Sequence, residues 1–171
     1  AVASIITAPS VRCHAPTQQA EWNTLSYLQQ VTLVRRLDGM AFPHVFDKKV
    51  QEQNSRGMGR VLEQCGSERA LLCIMLAKLQ KMDPDVIVGH NIAGFDLEVL
   101  MHRMQACKAP QWHRVGRLRR GTFPKLGAPG QSGFGSGPSP MLLSCVSGRL
   151  LCDTYLGAKE LLNSEVSYSL K

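Results

Sequence analysis

The sequence predicts an α/β fold, a layered sheet with helices packed on it, and three adjoining observations predict it. Leu71, Leu72, Met75, Leu79 and Met82 recur at spacings of three and four, the period of a helix with one apolar face. Asp83-Pro84-Asp85 then stops that period, because proline has no N–H to donate and disfavours helix in the residue before it. Val86-Ile87-Val88 follows as a short, β-branched, continuously apolar run, the pattern of a strand buried on both faces. Helix, turn and strand in such close succession belong to layered α/β architecture.

The remaining elements follow from the same local rules. Residues 1–7 are apolar and β-branched and read as a buried strand, whereas residues 8–30 are mixed and irregular. Val31 to Leu37 reads as a second strand, closed by the turn signal Asp38-Gly39. Ser67 is an N-cap candidate for the helix that follows it, with Glu68 as the acid favoured in a first turn. Beyond the Val86 strand, Leu97, Leu100, Met101 and Met104 mark another helix. Residues 121–147 contain 15 Gly, Pro or Ser among 27 positions, which leaves little apolar surface to bury and predicts an exposed loop. Within it Gly133-Phe134-Gly135-Ser136-Gly137-Pro138 is no dinucleotide fingerprint, since proline stands where the last glycine is required. Arg149–Cys152 reads as a final strand and Thr154–Leu162 as a final helix.

At 171 residues a single domain with its own core is expected, and 44 % apolar content is that of a globular chain. No apolar run reaches the roughly 18–20 residues of a membrane span. The first residues lack the basic region of a signal peptide and an initiator Met, and the chain reads as a soluble piece of something longer. Cys13, Cys65, Cys73, Cys107, Cys145 and Cys152 show no C-x-x-C pair, so they read as reduced thiols packed like small hydrophobes.

The formal net charge of +7 is localised. Between Val99 and Cys152 there is no Asp or Glu, while Arg103, Lys108, Arg114, Arg117, Arg119, Arg120, Lys125 and Arg149 all fall there. A local excess of positive charge is the footprint of a polyanion partner, or else a solvated face. Arg114, Arg117, Arg119, Arg120 and Lys125 are the candidate phosphate contacts, of the kind that position a nucleic acid without reading its sequence. Trp112 and Phe123 either stack on bases or anchor the loop by packing.

The sharpest local constellation is Val86-Ile87-Val88-Gly89-His90-Asn91-Ile92-Ala93-Gly94-Phe95-Asp96. A strand delivers a His-Asn pair into a glycine-punctuated loop, the place where open α/β sheets carry functional groups. Asp96 is either a hard-oxygen metal ligand or an acid favoured at a helix N-terminus. His90 and Asn91 read as hydrogen-bonding residues that fix the loop.

Asn91 at a strand end with Phe95-Asp96 shortly after resembles the second exonuclease motif of the family B DNA polymerases. Cys107–Trp112, Val115–Arg120, Phe123–Gly127, Ser132–Gly135, Gly148–Asp153 and Ala158–Leu161 extend the resemblance to the alpha branch of that family, over about residues 71–163. The resemblance implies a ribonuclease-H-like 3′–5′ exonuclease fold, a mixed central sheet flanked by helices, with residues 1–171 forming one truncated domain. It implies a parent DNA polymerase that extends RNA–DNA primers in the nucleus with a primase complex, using Mg²⁺ in its palm domain. Primer–template and neighbouring polymerase domains are the implied partners, with no membrane.

Active members of the family hold their catalytic metals with carboxylates from an Asp-x-Glu on the first strand, from the second motif and from a later third motif. On this chain the first-strand positions align with Ser4 and Ile6, and no acid occurs before Glu21. Each carboxylate near a divalent cation contributes on the order of 4 kcal/mol per charge pair at an effective dielectric of 20, and Ile6 has no lone pair to offer. Ser4, Ile6, Asn91, Phe95 and Asp96 therefore read as degenerate motif positions, with no catalytic residue, no cofactor and at most a weak ion site at Asp96. The alternatives are an active proofreading exonuclease domain and a free nucleic-acid-binding module.

Overall fold

The β-branched segments do form strands, and among the described residues they pair as a three-stranded and a two-stranded sheet. The computed structural model describes residues 2–7, 29–57, 59–127 and 139–162, with the backbone alone for 2–7. The architecture is mixed α/β, in two compact units, Ala1–Leu71 and Leu72–Lys171.

In the first unit, β1 (Val2–Thr7) pairs antiparallel with β2 (Gln29–Arg35), which pairs parallel with β3 (Arg60–Cys65). The register sets Ser4 opposite Thr32 and Ile6 opposite Gln30. A parallel pair requires a crossover, and α1 (Phe46–Ser55) lies within it. The Asn54 amide fixes this helix to β3: its Nδ2 donates to the Leu62 carbonyl at 2.9 Å, and its Oδ1 accepts from the Leu62 N–H at 2.9 Å. Gln64 Nε2 donates to Asp47 Oδ1 at 2.8 Å on the same helix. Among the described residues of this unit, Leu33, Val50, Cys65 and Leu71 are the buried apolar side chains.

α2 (Glu68–Met82) forms where the periodicity places it. Ser67 caps it, its Oγ accepting the Ala70 N–H at 3.2 Å. Leu71, Leu72, Met75 and Leu76 form its buried stripe, while Leu79 and Met82 are only half-buried.

In the second unit, β4 (Val86–Gly89) pairs parallel with β5 (Leu150–Asp153), Gly89 opposite Asp153. The strand is not buried on both faces. Val86, Val88 and Leu150 stand 44 %, 59 % and 70 % exposed, because in this two-stranded ribbon alternate side chains point to an uncovered face. A π-helical turn, Ile92–Asp96, follows β4 and leads into α3 (Leu97–Ala106), so Asp96 both ends the turn and occupies the N-cap position of the helix, without a side-chain capping hydrogen bond. Leu97, Met101, Met104, Trp112, Val115, Leu142, Cys145 and Val146 are buried in this unit.

The segment 121–147 is not loop throughout, because α4 (Pro140–Cys145) forms inside it. Proline suits a first helical position, and Leu142 and Cys145 supply the buried face that a glycine and serine count over the whole window conceals. The Gly133–Pro138 string lies outside the described residues, as do Cys13 and the tail from residue 163. The other cysteines, Cys65, Cys73, Cys107, Cys145 and Cys152, are all free. α5 (Thr154–Leu161) directly continues β5. Among the described residues no helix is long and apolar enough to cross a membrane.

Candidate functional site

The carboxyl ends of β4 and β5 lie side by side, and the chain leaves each of them in a different way. After Gly89 the backbone bends through Asn91, whose φ of +56° lies in the left-handed region that asparagine tolerates better than most residues. After Asp153 it enters α5 at once. Both exits converge on one side chain. Asp153 Oδ1 accepts the Asn91 N–H at 2.9 Å, the Tyr155 N–H at 3.0 Å and the Leu156 N–H at 3.4 Å. Its Oδ2 accepts the Ala93 N–H at 3.1 Å. One carboxylate thus caps α5, where free N–H groups favour an anion, and holds the loop that displays the motif residues. The reading of the sequence gave Asp153 no role, although an Asp immediately ahead of a helix is an N-cap signal.

Around His90 and Asn91 the hydrogen bonds run mostly through backbone groups, and His90 Nε2 is buried without a partner among the described residues. Thr154 Oγ1 donates to the Gly89 carbonyl at 3.3 Å and lies 3.4 Å from His90 Nδ1. The His90 ring meets Tyr155 edge-on, with centroids 5.5 Å apart. Asn91 is buried, and Gly94 packs so close to it that a Cβ there would lie 2.8 Å from Asn91 Oδ1. The Asn91 carbonyl accepts the Phe95 N–H at 3.0 Å. Phe95 and Asp96, at the end of the turn, face solvent, Phe95 at 58 % exposure.

Asp96 is exposed, and the neighbouring acid Asp153 spends both oxygens on backbone N–H groups. Among the described residues no group of three or more His, Cys, Asp or Glu is placed to hold a metal ion. Ser4 and Ile6 lie on β1, in the other unit, and carry no carboxylate.

The basic stretch divides by what its guanidinium groups touch. Arg117 is committed within the fold: Nε donates to Asp83 Oδ1 at 2.9 Å, one terminal nitrogen to Asp85 Oδ1 at 2.7 Å and to the Asp83 carbonyl at 3.0 Å, and the other to the Gly148 carbonyl at 3.1 Å. Arg149, with a side chain 2 % exposed, donates to the same Asp83 oxygen at 2.8 Å and to the Pro84 and Val115 carbonyls. The Arg117 hydrogen bond is the main reason the Asp83 carboxyl is held below its usual range, and Asp83 in turn raises Arg117. Gly148 permits the approach, since its φ is +91° and a Cβ there would lie 2.7 Å from the Arg117 Cβ.

Arg119 and Lys125 are exposed, whereas Arg114 and Arg120 are half-buried. The positive charge of Arg120 partly offsets the burial that raises the Cys145 thiol. Trp112 is 7 % exposed and packs on Phe123 with centroids 4.8 Å apart, so the pair anchors the loop.

Comparison with known proteins agrees with the motif strings. The profile of the DNA polymerase family B exonuclease domain matches residues 14–171. The DNA polymerase alpha catalytic subunit of Oryza sativa subsp. japonica is 46 % identical over 98 % of this chain and 11 % of its own length. That of Arabidopsis thaliana is 44 % identical over 98 % of the chain and 11 % of its length. That of Mus musculus is 42 % identical over 75 % of the chain and 8 % of its length. The chain thus spans about a tenth of the length of the curated relatives it matches.

Proposed function

Because the chain belongs to the exonuclease domain of the family B DNA polymerases, we propose that it is part of a DNA polymerase alpha catalytic subunit and acts there as a scaffold without nuclease activity. On this reading residues 1–171 are one truncated domain of ribonuclease-H-like fold. The parent extends RNA–DNA primers in the nucleus with Mg²⁺ in its palm and a primase complex as partner. Ser4, Ile6, Asn91, Phe95 and Asp96 are then the degenerate motif positions.

One observation carries the loss of nuclease activity: the first strand has Ser4 and Ile6 where two carboxylates are needed, with no acid before Glu21. A two-metal hydrolysis lowers the pKa of bound water and clamps both reacting oxygens, and Asp96 by itself can do neither. The Asp153 hydrogen bonds support the same reading, since they tie the motif loop with a side chain of the fold itself. The domain keeps a shape against which other polymerase domains pack. Arg114, Arg119, Arg120 and Lys125 line the nucleic-acid path on this reading, with Arg117 holding the surface that displays them.

The test uses the full-length polymerase and a single-stranded primer labelled at its 3′-terminal nucleotide, with Mg²⁺ or Mn²⁺ and with palm variants in parallel. Normal extension without release of label is the expected result. Release that disappears in Asp96→Ala would establish a working exonuclease and overturn the scaffold reading.

A further inference from the structure

Within the basic stretch one hydroxyl has a distinctive sequence ahead of it. Arg119 and Arg120 lie three and two positions before Thr122, and no other Ser or Thr in the chain has an arginine at either position. We propose that Thr122 is a phosphorylation site for a serine/threonine kinase whose substrate groove presents carboxylates to arginine, and that the added phosphate weakens the hold of this surface on nucleic acid.

The fold displays the segment in the form such an enzyme requires. Arg117 is pinned to Asp83 and Asp85, and Phe123 packs on Trp112 with centroids 4.8 Å apart, so residues 118–122 form a short irregular arch held at both ends. Leu118, Arg119, Gly121 and Thr122 are exposed, and Arg120 is half-buried. No hydrogen bond joins 118–122 to another described residue. A kinase can therefore draw the arch into an extended groove without breaking a helix or a strand pairing. The arginines to be recognised lie ahead of Thr122, so Phe123 keeps its place on Trp112. Unlike Arg117 and Arg149, neither Arg119 nor Arg120 makes an ion pair with a described residue, and the sequence has no acid between Val99 and Cys152. Guanidinium groups in that state are open to a carboxylate on another protein.

In the reaction Thr122 Oγ1 attacks the γ-phosphorus of ATP. A new O–P bond forms as the bond to the β,γ-bridging oxygen breaks, ADP leaves with the electron pair, and the hydroxyl proton passes to a base of the kinase. The phosphothreonine carries about 1.5–2 negative charges at pH 7. Arg119 and Lys125 stand three residues to either side of it, and Arg120 two. Three residues of extended chain reach at most about 11 Å, close to the screening length of about 10 Å at 0.1 M salt. The phosphate thus offsets about two of the three cations. The site itself stands on sequence and exposure, whereas its effect rests on the reading of this surface as a nucleic-acid path.

The test incubates the full-length protein with labelled ATP and the catalytic subunit of cyclic-AMP-dependent protein kinase, an arginine-directed enzyme, and maps the labelled peptides. Phosphate is expected on the peptide carrying Thr122 and absent from it in Thr122→Val. Arg119→Ala should slow its entry about ten-fold, the order of one hydrogen bond to a charged group. No phosphate at Thr122, or equal rates with and without Arg119, would overturn the site. Salt titration of single-stranded DNA binding then compares the treated and untreated protein. Phosphate on Thr122 should lower the slope of log K against log salt by about 1.4, two single-strand phosphate contacts, and the same treatment of Thr122→Val should leave it unchanged. A slope that Arg119→Ala lowers but phosphate does not would overturn the effect on binding. A slope that neither moves would sink the nucleic-acid path itself, with the peptide map still deciding the site.

Discussion

The Asp153 carboxylate accepts the Asn91 N–H at 2.9 Å across 62 residues of chain. This bond couples the end of β4 to the end of β5 and sets the conformation of the turn that carries Phe95 and Asp96. Asp153→Ala removes a helix cap and leaves two loop N–H groups without an acceptor. A loss of about 2–4 kcal/mol is expected by chemical denaturation. Asp153→Asn keeps one acceptor oxygen and should lose less. Hydrogen exchange at the Asn91 and Ala93 amides should accelerate in both variants, and an unchanged rate would refute the coupling.

Arg117 makes the stability of the second unit depend on acid. Its bonds hold the Asp83 carboxyl below the ordinary value, so Asp83 contributes stability above its unfolded pKa of about 3.9. That contribution is lost as pH falls through the lower, folded value. Unfolding of the native protein and of Arg117→Gln should therefore differ most near neutrality and converge as pH falls below about 3.9. A gap that stays constant through that acid range would remove Asp83 from the explanation.

Salt titration of single-stranded DNA binding should separate the arginines by their surroundings. Arg119→Ala and Lys125→Ala are each expected to lower the slope of log K against log salt by about 0.7, the contribution of one phosphate contact on a single strand. Arg117→Ala should leave the slope unchanged while lowering the melting temperature, because its guanidinium is occupied by Asp83 and Asp85.

Gly94→Ala places a methyl group 2.8 Å from Asn91 Oδ1. Buried overpacking of this kind costs about 1–3 kcal/mol, measurable by thermal unfolding. The turn should also reorganise, with a shift of the Phe95 amide signal in NMR spectra.

The parts legible in the sequence are those fixed by short-range rules. α2 and its Ser67 cap, the stop at Pro84 and the strand after it all follow from period, capping and proline geometry. The pairing of the described strands was not legible, because it depends on partners far away in the chain. Nor was the role of Arg117, whose partners Asp83 and Asp85 lie 34 and 32 residues away. Composition counts its charge among the free ones, whereas the fold neutralises it. α4 was hidden by averaging over a glycine-rich window, although Met141–Val146 taken by itself is apolar enough for a helix. Asp153 is different: its signal is local, an Asp immediately ahead of a helix.

The Asn54 amide bonded to both backbone groups of Leu62 has a bearing on how the protein behaves in a crowded solution. β3 is the outer strand of its sheet among the described residues, and an outer strand offers its peptide groups as a template for another molecule. At Leu62 the carboxamide imitates the peptide of a neighbouring strand, so an incoming chain finds that rung of the ladder already taken. One asparagine thereby acts as a guard against runaway self-association, and Asn54→Leu should turn a well-behaved solution into one that clouds on concentration.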